Sequence, residues 1–308
     1  MQMIYYAHDD GLKHENPPGH PEQVARLEAV RAAMAGMDLD RRAAPLCDDQ
    51  EILRCHPQTY LDRVIATSPR EGWRSLDPDT SMSPGTLTAA RRAVGGCVAA
   101  VDAVLGGESR TAFVGCRPPG HHAETATAMG FCLFGNIAIA AKRALDHHGL
   151  SRVAIVDFDV HHGNGTQDLL WDEARALFVS SHQMPLFPGS GHSREVGAHE
   201  NVLNLPLDEG TGSAEMRRVY EDSAFPALRE FAPELILVSA GFDAHRADPL
   251  AGLNWSTEDF GWITGRLCDL ADDLCDGRIV STLEGGYDLA ALGASVAAHV
   301  KVLKERSG

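Results

Sequence analysis

The sequence predicts a single α/β domain over residues 1–308, with a mostly parallel central sheet and helices on both faces. Short apolar runs of three to seven residues recur along the chain, among them Val153–Val156, Leu235–Val238 and Ile279–Leu283. Helical periodicity fills the stretches between them, the alternation that gives parallel strands with helical crossovers. Neither a repeat nor a linker divides the 308 residues, a length that open α/β sheets reach undivided. A hydrophobic content of 44% suffices for a large core.

Met3 to Tyr6 reads as the first strand, closed by His8, Asp9 and Asp10. Gly19-His20-Pro21-Glu22 leads into a helix with Val24, Leu27, Val30 and Met34 at helical spacing, which sets Arg26 among apolar neighbours. A guanidinium there needs an anion or a carboxylate such as a nearby Glu. Residues 45 to 85, rich in Pro, Asp and Ser, read as loops with short helices. An alanine-rich helix follows from Thr86 to Leu105, and its Gly95-Gly96 pair costs roughly 1 kcal/mol per residue, which close packing on a sheet offsets. Ala112 to Val114 is a strand, and Arg117-Pro118-Pro119-Gly120 is a stiff turn that presents His121 and His122 at its end. A helix is expected over Ile137 to His147, then strands at Val153–Val156, Ala176–His182 and Val202–Leu205, and a helix opening after Gly210-Thr211-Gly212-Ser213. Strands at Leu235–Val238 and Ile279–Leu283 and an alanine-rich helix ending at Leu303 complete the chain.

Forty-three acidic against 27 basic residues give a formal charge of −16, which argues against nucleic-acid binding and favours cationic partners. The seven cysteines form no CxxC pair, and Cys268 and Cys275 fall in a helical pattern as core thiols. Neither a leader-like N-terminus nor a run of 18 apolar residues is present, so a cytoplasmic protein without a membrane segment is expected.

Chemistry concentrates at strand ends. In Arg152–Gln167 (RVAIVDFDVHHGNGTQ) a buried strand runs directly into Asp157, Asp159, His161 and His162. Ligands of open α/β sheets sit beyond the carboxyl ends of strands, and strand alternation puts Asp157, Asp159 and His161 on one face. The bland alternative is a polar turn capped by Asp and His. So many ionisable groups beside a buried strand are costly without a partner. Asp243 ends another strand and Tyr287 follows a third. Two carboxylates and one imidazole make an open three-ligand site of the kind catalytic zinc uses. His121 and His122 are then free for proton transfer, with Asp157 and Asn164 available to fix their tautomers.

The motifs RPPGHHA, DFDVHHGNGTQ, SAGFDAH and EGGYDL, in that order, resemble those of the zinc-dependent histone deacetylase superfamily, which includes bacterial deacetylase-like amidohydrolases and acetylpolyamine amidohydrolases. The resemblance covers nearly all of residues 4 to 303 and implies the arginase/deacetylase fold. It implies one zinc per chain on Asp159, His161 and Asp243, with His122 as general base and acid, His121 as its polarising partner, and Asp157 and Asn164 as their respective orienters. Tyr287 is implied to hydrogen-bond the substrate carbonyl. Phe131 and Phe187 are implied to wall a narrow tunnel, with Gly130, Gly285, Gly286 and Leu250 beside it; plain core filling is the alternative for the two Phe residues. A structural potassium on Asp157 and Ser180 and an internal acetate channel lined by Arg26 are also implied, and Asp79 is a rim candidate for gripping the substrate backbone.

The expected reaction is removal of acetyl or another acyl group from an amine such as acetyl-lysine or a small acetamide. Acetylpolyamines are the alternative substrate, although Leu250 occupies the place of a gatekeeping Glu. A binuclear manganese ureohydrolase needs further Asp and His ligands, which Asp243-Ala244-His245 and Asp248 only half imitate. An inactive acyl-lysine reader is the remaining alternative, and here every catalytic position is filled.

Overall fold

The computed structural model describes residues 1–308. Its strands are β1 (Ile4–Ala7), β2 (Asp40–Ala43), β3 (Arg74–Ser75), β4 (Ser81–Met82), β5 (Thr111–Val114), β6 (Val153–Asp157), β7 (Ala176–Gln183), β8 (Val202–Leu207), β9 (Leu235–Ala240) and β10 (Ile279–Leu283). The helices are α1 (Val24–Met34), α2 (Asp49–Ile52), α3 (Gln58–Thr67), α4 (Thr86–Leu105), α5 (Asn136–Asp146), α6 (Asn164–Leu170), α7 (Ser213–Val219), α8 (Phe225–Phe231), α9 (Thr257–Leu274) and α10 (Leu289–Glu305). Eight strands form one sheet in the order β2-β1-β5-β10-β9-β6-β7-β8, with every pair parallel. Only β3 and β4 pair antiparallel, in a separate small hairpin.

Alternation within each strand feeds two cores. Ala154 and Val156 of β6, with Ile236 and Val238 of β9, face α1, α9 and α10 through Val30, Phe260, Ile263, Leu292 and Val296. Val153 and Ile155, with Leu235 and Leu237, face α4 and α5 through Cys97, Val101, Ile137 and Ala141. A strand apolar on both faces reads as an unbroken hydrophobic run, which is why these strands are legible. A third cluster, with Tyr60, Leu61, Val64 and Phe134, packs α3 beneath the loops between β2 and α5. No helix is long and apolar enough to cross a membrane.

The glycine pair in α4 packs as closely as expected: a Cβ on Gly95 would lie 2.0 Å from the Pro45 carbonyl oxygen. Strand β2 (DRRA) has no counterpart in the sequence reading. It pairs only with β1 at the sheet edge, alternates half-buried with exposed residues, and so carries no apolar run.

Strand order positions the site. From β6 the chain proceeds through β7 to β8 in one direction, and from β9 to β10 in the other, while β6 and β9 lie side by side. Connections after these two strands diverge and open a crevice at their carboxyl ends.

Candidate metal centre and tunnel

Asp159 and His161 follow β6, and Asp243 follows β9, so the donors come from the two strands flanking that crevice. Strand alternation does not group them as the sequence suggested, because β6 ends at Asp157. Beyond it the chain curls through two side-chain-to-backbone turns. Asp157 Oδ1 accepts from the Asp159 N–H at 3.1 Å, and Asp159 Oδ1 accepts from the His161 N–H at 2.9 Å. Asp243 Oδ1 accepts from Val160 N–H (2.9 Å), and Asp159 Oδ2 accepts from Gly285 N–H (2.8 Å). His161 Nδ1 then lies 3.1 Å from Asp159 Oδ1 and 3.2 Å from Asp243 Oδ2. The three donor atoms fall within 4.8 Å of one another, all on buried residues. Asp157 stands outside this group.

Electrostatics in this cluster pull in opposite directions. Burial, then the neighbouring Asp159, raises the Asp243 pKa. Asp159 is buried too, yet His121 and His161 outweigh that penalty and hold its pKa low. Two carboxylates and an imidazole gathered without solvent suit a divalent cation, which compensates both acids at once. The surrounding backbone leaves room for this: a Cβ on Gly285 would sit 2.2 Å from Asp243 Oδ2, and one on Gly241 would sit 2.0 Å from Asp159 Oδ2.

The turn after β5 brings His121 and His122 beside the donors, with ring centroids 4.0 Å apart. Their sequence adjacency hides opposite environments. His121 Nδ1 lies 3.0 Å from Asp157 Oδ2, and although burial opposes its charge, Asp159 and Asp157 raise its pKa well above the ordinary value. His122 Nδ1 lies 2.7 Å from Asn164 Oδ1, and burial followed by the neighbouring His121 and His161 lowers its pKa well below the ordinary value. Asn164 donates through Nδ2 to Glu124 Oε1 at 2.8 Å, so its oxygen faces His122. His122 therefore carries its proton on Nδ1 and keeps Nε2 as a free base.

Two further acids shape this turn. Glu284, fully buried after β10, accepts from Gly120 N–H at 2.7 Å and His121 N–H at 3.2 Å, and burial pushes its pKa up to about 7. Glu22 bonds Arg117 through both Nε and an Nη, and Arg26 Nη1 at 3.0 Å. Sequence reasoning anticipated a Glu partner for Arg26 and missed the role of Glu284. The available signal for Glu284 was an acid directly after a buried strand, the pattern that marked Asp157.

A cavity of about 230 Å3 opens over the cluster, lined by His122, His161, Tyr287, Gly130, Phe131, Phe187 and Leu250, with Asp79 and Leu186. Phe187 stands edge-on to His122 at 5.2 Å and Phe131 edge-on to Tyr287 at 5.9 Å. Phe187 is 41% exposed, so core filling does not describe it. Gly130 at φ +55° lies flat on His122: a Cβ there would meet His122 Cδ2 at 2.3 Å. The Tyr287 hydroxyl has no hydrogen bond within the protein, while burial raises its pKa well above 10 and keeps it a proton donor.

The remaining expected residues lie around the donors and the cavity. Gly285 and Gly286 do not line the cavity; Gly285 belongs to the floor, because its N–H is spent on Asp159 and it has no side chain to reach the wall. Asp79 reaches the cavity, and its Oδ1 accepts from Gly130 N–H (3.0 Å) and the Thr80 hydroxyl (2.7 Å). Arg26 has the carboxylate partner that its burial demands, Glu22, and also donates to the carbonyls of Gly286 and Glu284, both at 2.6 Å, with its guanidinium 4.9 Å over the Tyr287 ring. Ser180 is level with Asp157 in the β6–β7 register, but its hydroxyl lies 3.0 Å from His182 Nδ1.

The Histone deacetylase domain matches residues 20–303 of the chain. The histone deacetylase-like amidohydrolase of Pseudomonas aeruginosa is 40% identical over 88% of this chain and 72% of its own length. Histone deacetylase 10, chloroplastic, of Oryza sativa subsp. japonica is 38% identical over 96% of this chain and 71% of its own. The crystal structure of the HDA15 HD domain superposes with a TM-score of 0.91 at 33% identity, covering 98% of this chain and 90% of that one.

Proposed function

The chain belongs to the histone deacetylase domain family, and from that premise we propose that it is a zinc-dependent amidohydrolase that removes acetyl or another acyl group from an acylated amine such as acetyl-lysine. The supporting observation is the meeting of three things: the Asp159–His161–Asp243 donor set, the paired imidazoles, and a partnerless tyrosine hydroxyl under one apolar cavity. Asp159, His161 and Asp243 would hold one divalent ion per chain, and that ion would supply Lewis acidity to the amide carbonyl and to water.

His122 does the proton work. Its Nδ1–H is fixed on Asn164 and its Nε2 is unprotonated at neutral pH, so it accepts the proton of the attacking water. His121, held charged by Asp157 and Asp159, keeps positive potential beside the oxyanion. Tyr287 donates its hydroxyl hydrogen to that oxyanion, a contact stronger in the transition state than in the bound amide. His122 then returns the proton to the departing amine, and acetate is released. Phe131, Phe187 and Leu250 exclude water around an extended, neutral side chain.

A potassium ion on Asp157 and Ser180 and an acetate path past Arg26 belong to the same proposal, supported by the register of β6 with β7 and by the burial of Arg26 behind Tyr287. The test is a deacetylation screen of acetyl-lysine peptides, acetylpolyamines and small acetamides with zinc-loaded protein. Turnover of an acylated amine at one zinc per chain is expected. Two required divalent ions, or no turnover of any acylated amine, would overturn the proposal.

A further inference from the structure

The wall and the hydroxyl donor share one anchor. Asp248, 7% exposed, accepts from Tyr287 N–H at 2.7 Å and Asp288 N–H at 3.3 Å through Oδ2, and from Leu250 N–H at 3.1 Å through Oδ1. No lysine, arginine or histidine pairs with this carboxylate. A buried carboxylate held only by backbone N–H groups is a costly way to add stability, because no opposite charge offsets its lost hydration. It is an effective way to fix direction, since its two oxygens hold two chain segments in one relative orientation.

The segments so joined are functional. Leu250 and Tyr287 both line the cavity. Tyr287 follows Gly285 and Gly286, the second at φ +118°, and its hydroxyl has no protein partner. Its backbone therefore depends on Asp248 at the N–H and on Arg26 at the preceding carbonyl.

We infer that Asp248 is a positioning residue that couples the Tyr287 donor to the tunnel wall at Leu250; the inference rests on the deacetylase function proposed above. A substrate stem that displaces Leu250 shifts the 248–250 segment and, through the shared carboxylate, the tyrosine. Tunnel fit then registers in kcat as well as in KM.

The test compares wild type, Asp248→Asn, Tyr287→Phe and the double variant as full-length, metal-loaded protein. Asparagine keeps the shape of Asp248 and one acceptor oxygen but turns an N–H towards one of the two segments. Misplacement of a reacting group by 1 Å costs up to about 10²-fold, so kcat of Asp248→Asn should fall ~10- to 100-fold with metal content unchanged. Amide exchange at Leu250, Tyr287 and Asp288 should accelerate. On the Tyr287→Phe background the same change should cost less than about threefold, because the hydroxyl it positions is gone. Equal losses on both backgrounds, or an unchanged kcat in the single variant, would overturn the coupling. If Asp248→Asn fails to fold, Asp248→Glu, which keeps the carboxyl group and moves it by one methylene, makes the same comparison. Should Tyr287→Phe alone leave kcat unchanged, the donor role falls and the coupling with it; a normal Tyr287→Phe loss beside an indifferent Asp248→Asn removes only the coupling.

Discussion

The floor of the cavity and its wall are built by different means. On the floor, Asp159 is held by the N–H groups of His161 and Gly285 and Asp243 by that of Val160, at 2.8 to 2.9 Å, and these segments leave strands buried on both faces. On the wall, Phe131, Phe187 and Leu250 come from three separate loops and touch one another's neighbours mainly through ring edges. A floor held by the sheet has one arrangement and fails as a unit. A wall of apolar side chains on loops changes by degrees.

The largest expected effect tests the floor. Asp243→Ala removes a donor and the acceptor of the Val160 N–H together, so bound metal and turnover should be lost in parallel, as measured by metal analysis and rate on the same sample. Retained stoichiometric metal in that variant would show that the floor does not act as a unit.

Tyr287→Phe comes next. The hydroxyl contacts no metal donor, so turnover should fall by ~10² to 10³, roughly 2.7 to 4 kcal/mol, with metal content unchanged. An unchanged rate with lower thermal stability would make Tyr287 a structural residue and move the boundary between floor and wall.

Asn164→Asp probes the proton-transfer position. His122 acts as a base only when unprotonated, and its lowered pKa puts the acid limb of kcat/KM below 6.5 in the wild type. A carboxylate at position 164 favours the imidazolium and should move that limb up by ~1 to 3 pH units. The rate should drop on the acid side and recover as the pH rises. A uniform loss at all pH values would instead indicate displaced geometry.

The smallest effect is expected at the wall. With Leu250 in place, acetyl-lysine-like substrates should be favoured over acetylspermidine or acetylputrescine, because the formal charge of −16 is screened beyond ~8 Å at physiological salt. Leu250→Glu should shift the ratio of kcat/KM towards the polyamines by about fivefold, on the order of 1 kcal/mol for a partly exposed ion pair. A wild type that already prefers polyamines would place selectivity elsewhere.

The strands, the helix over Thr86–Leu105 and the acids and imidazoles at strand ends were legible because burial on both faces forces unbroken apolar runs, and a charge that interrupts such a run stands out. Motif order tied those residues to one family. Strand β2, the backbone hydrogen bonds of Glu284 and Asp248, and the contacts of Gly285 and Asp79 were decided only by the tertiary structure. So was the contrast between His121 and His122, adjacent in sequence yet pushed to opposite protonation, His121 by Asp159 and Asp157 and His122 by burial and the neighbouring His121 and His161. The physical reason is common to all of them: a hydrogen bond from a distant backbone N–H, or a carboxylate some 36 residues away, leaves no periodic trace in the chain, whereas the hydrophobic effect acts on every residue of a buried face and writes a pattern.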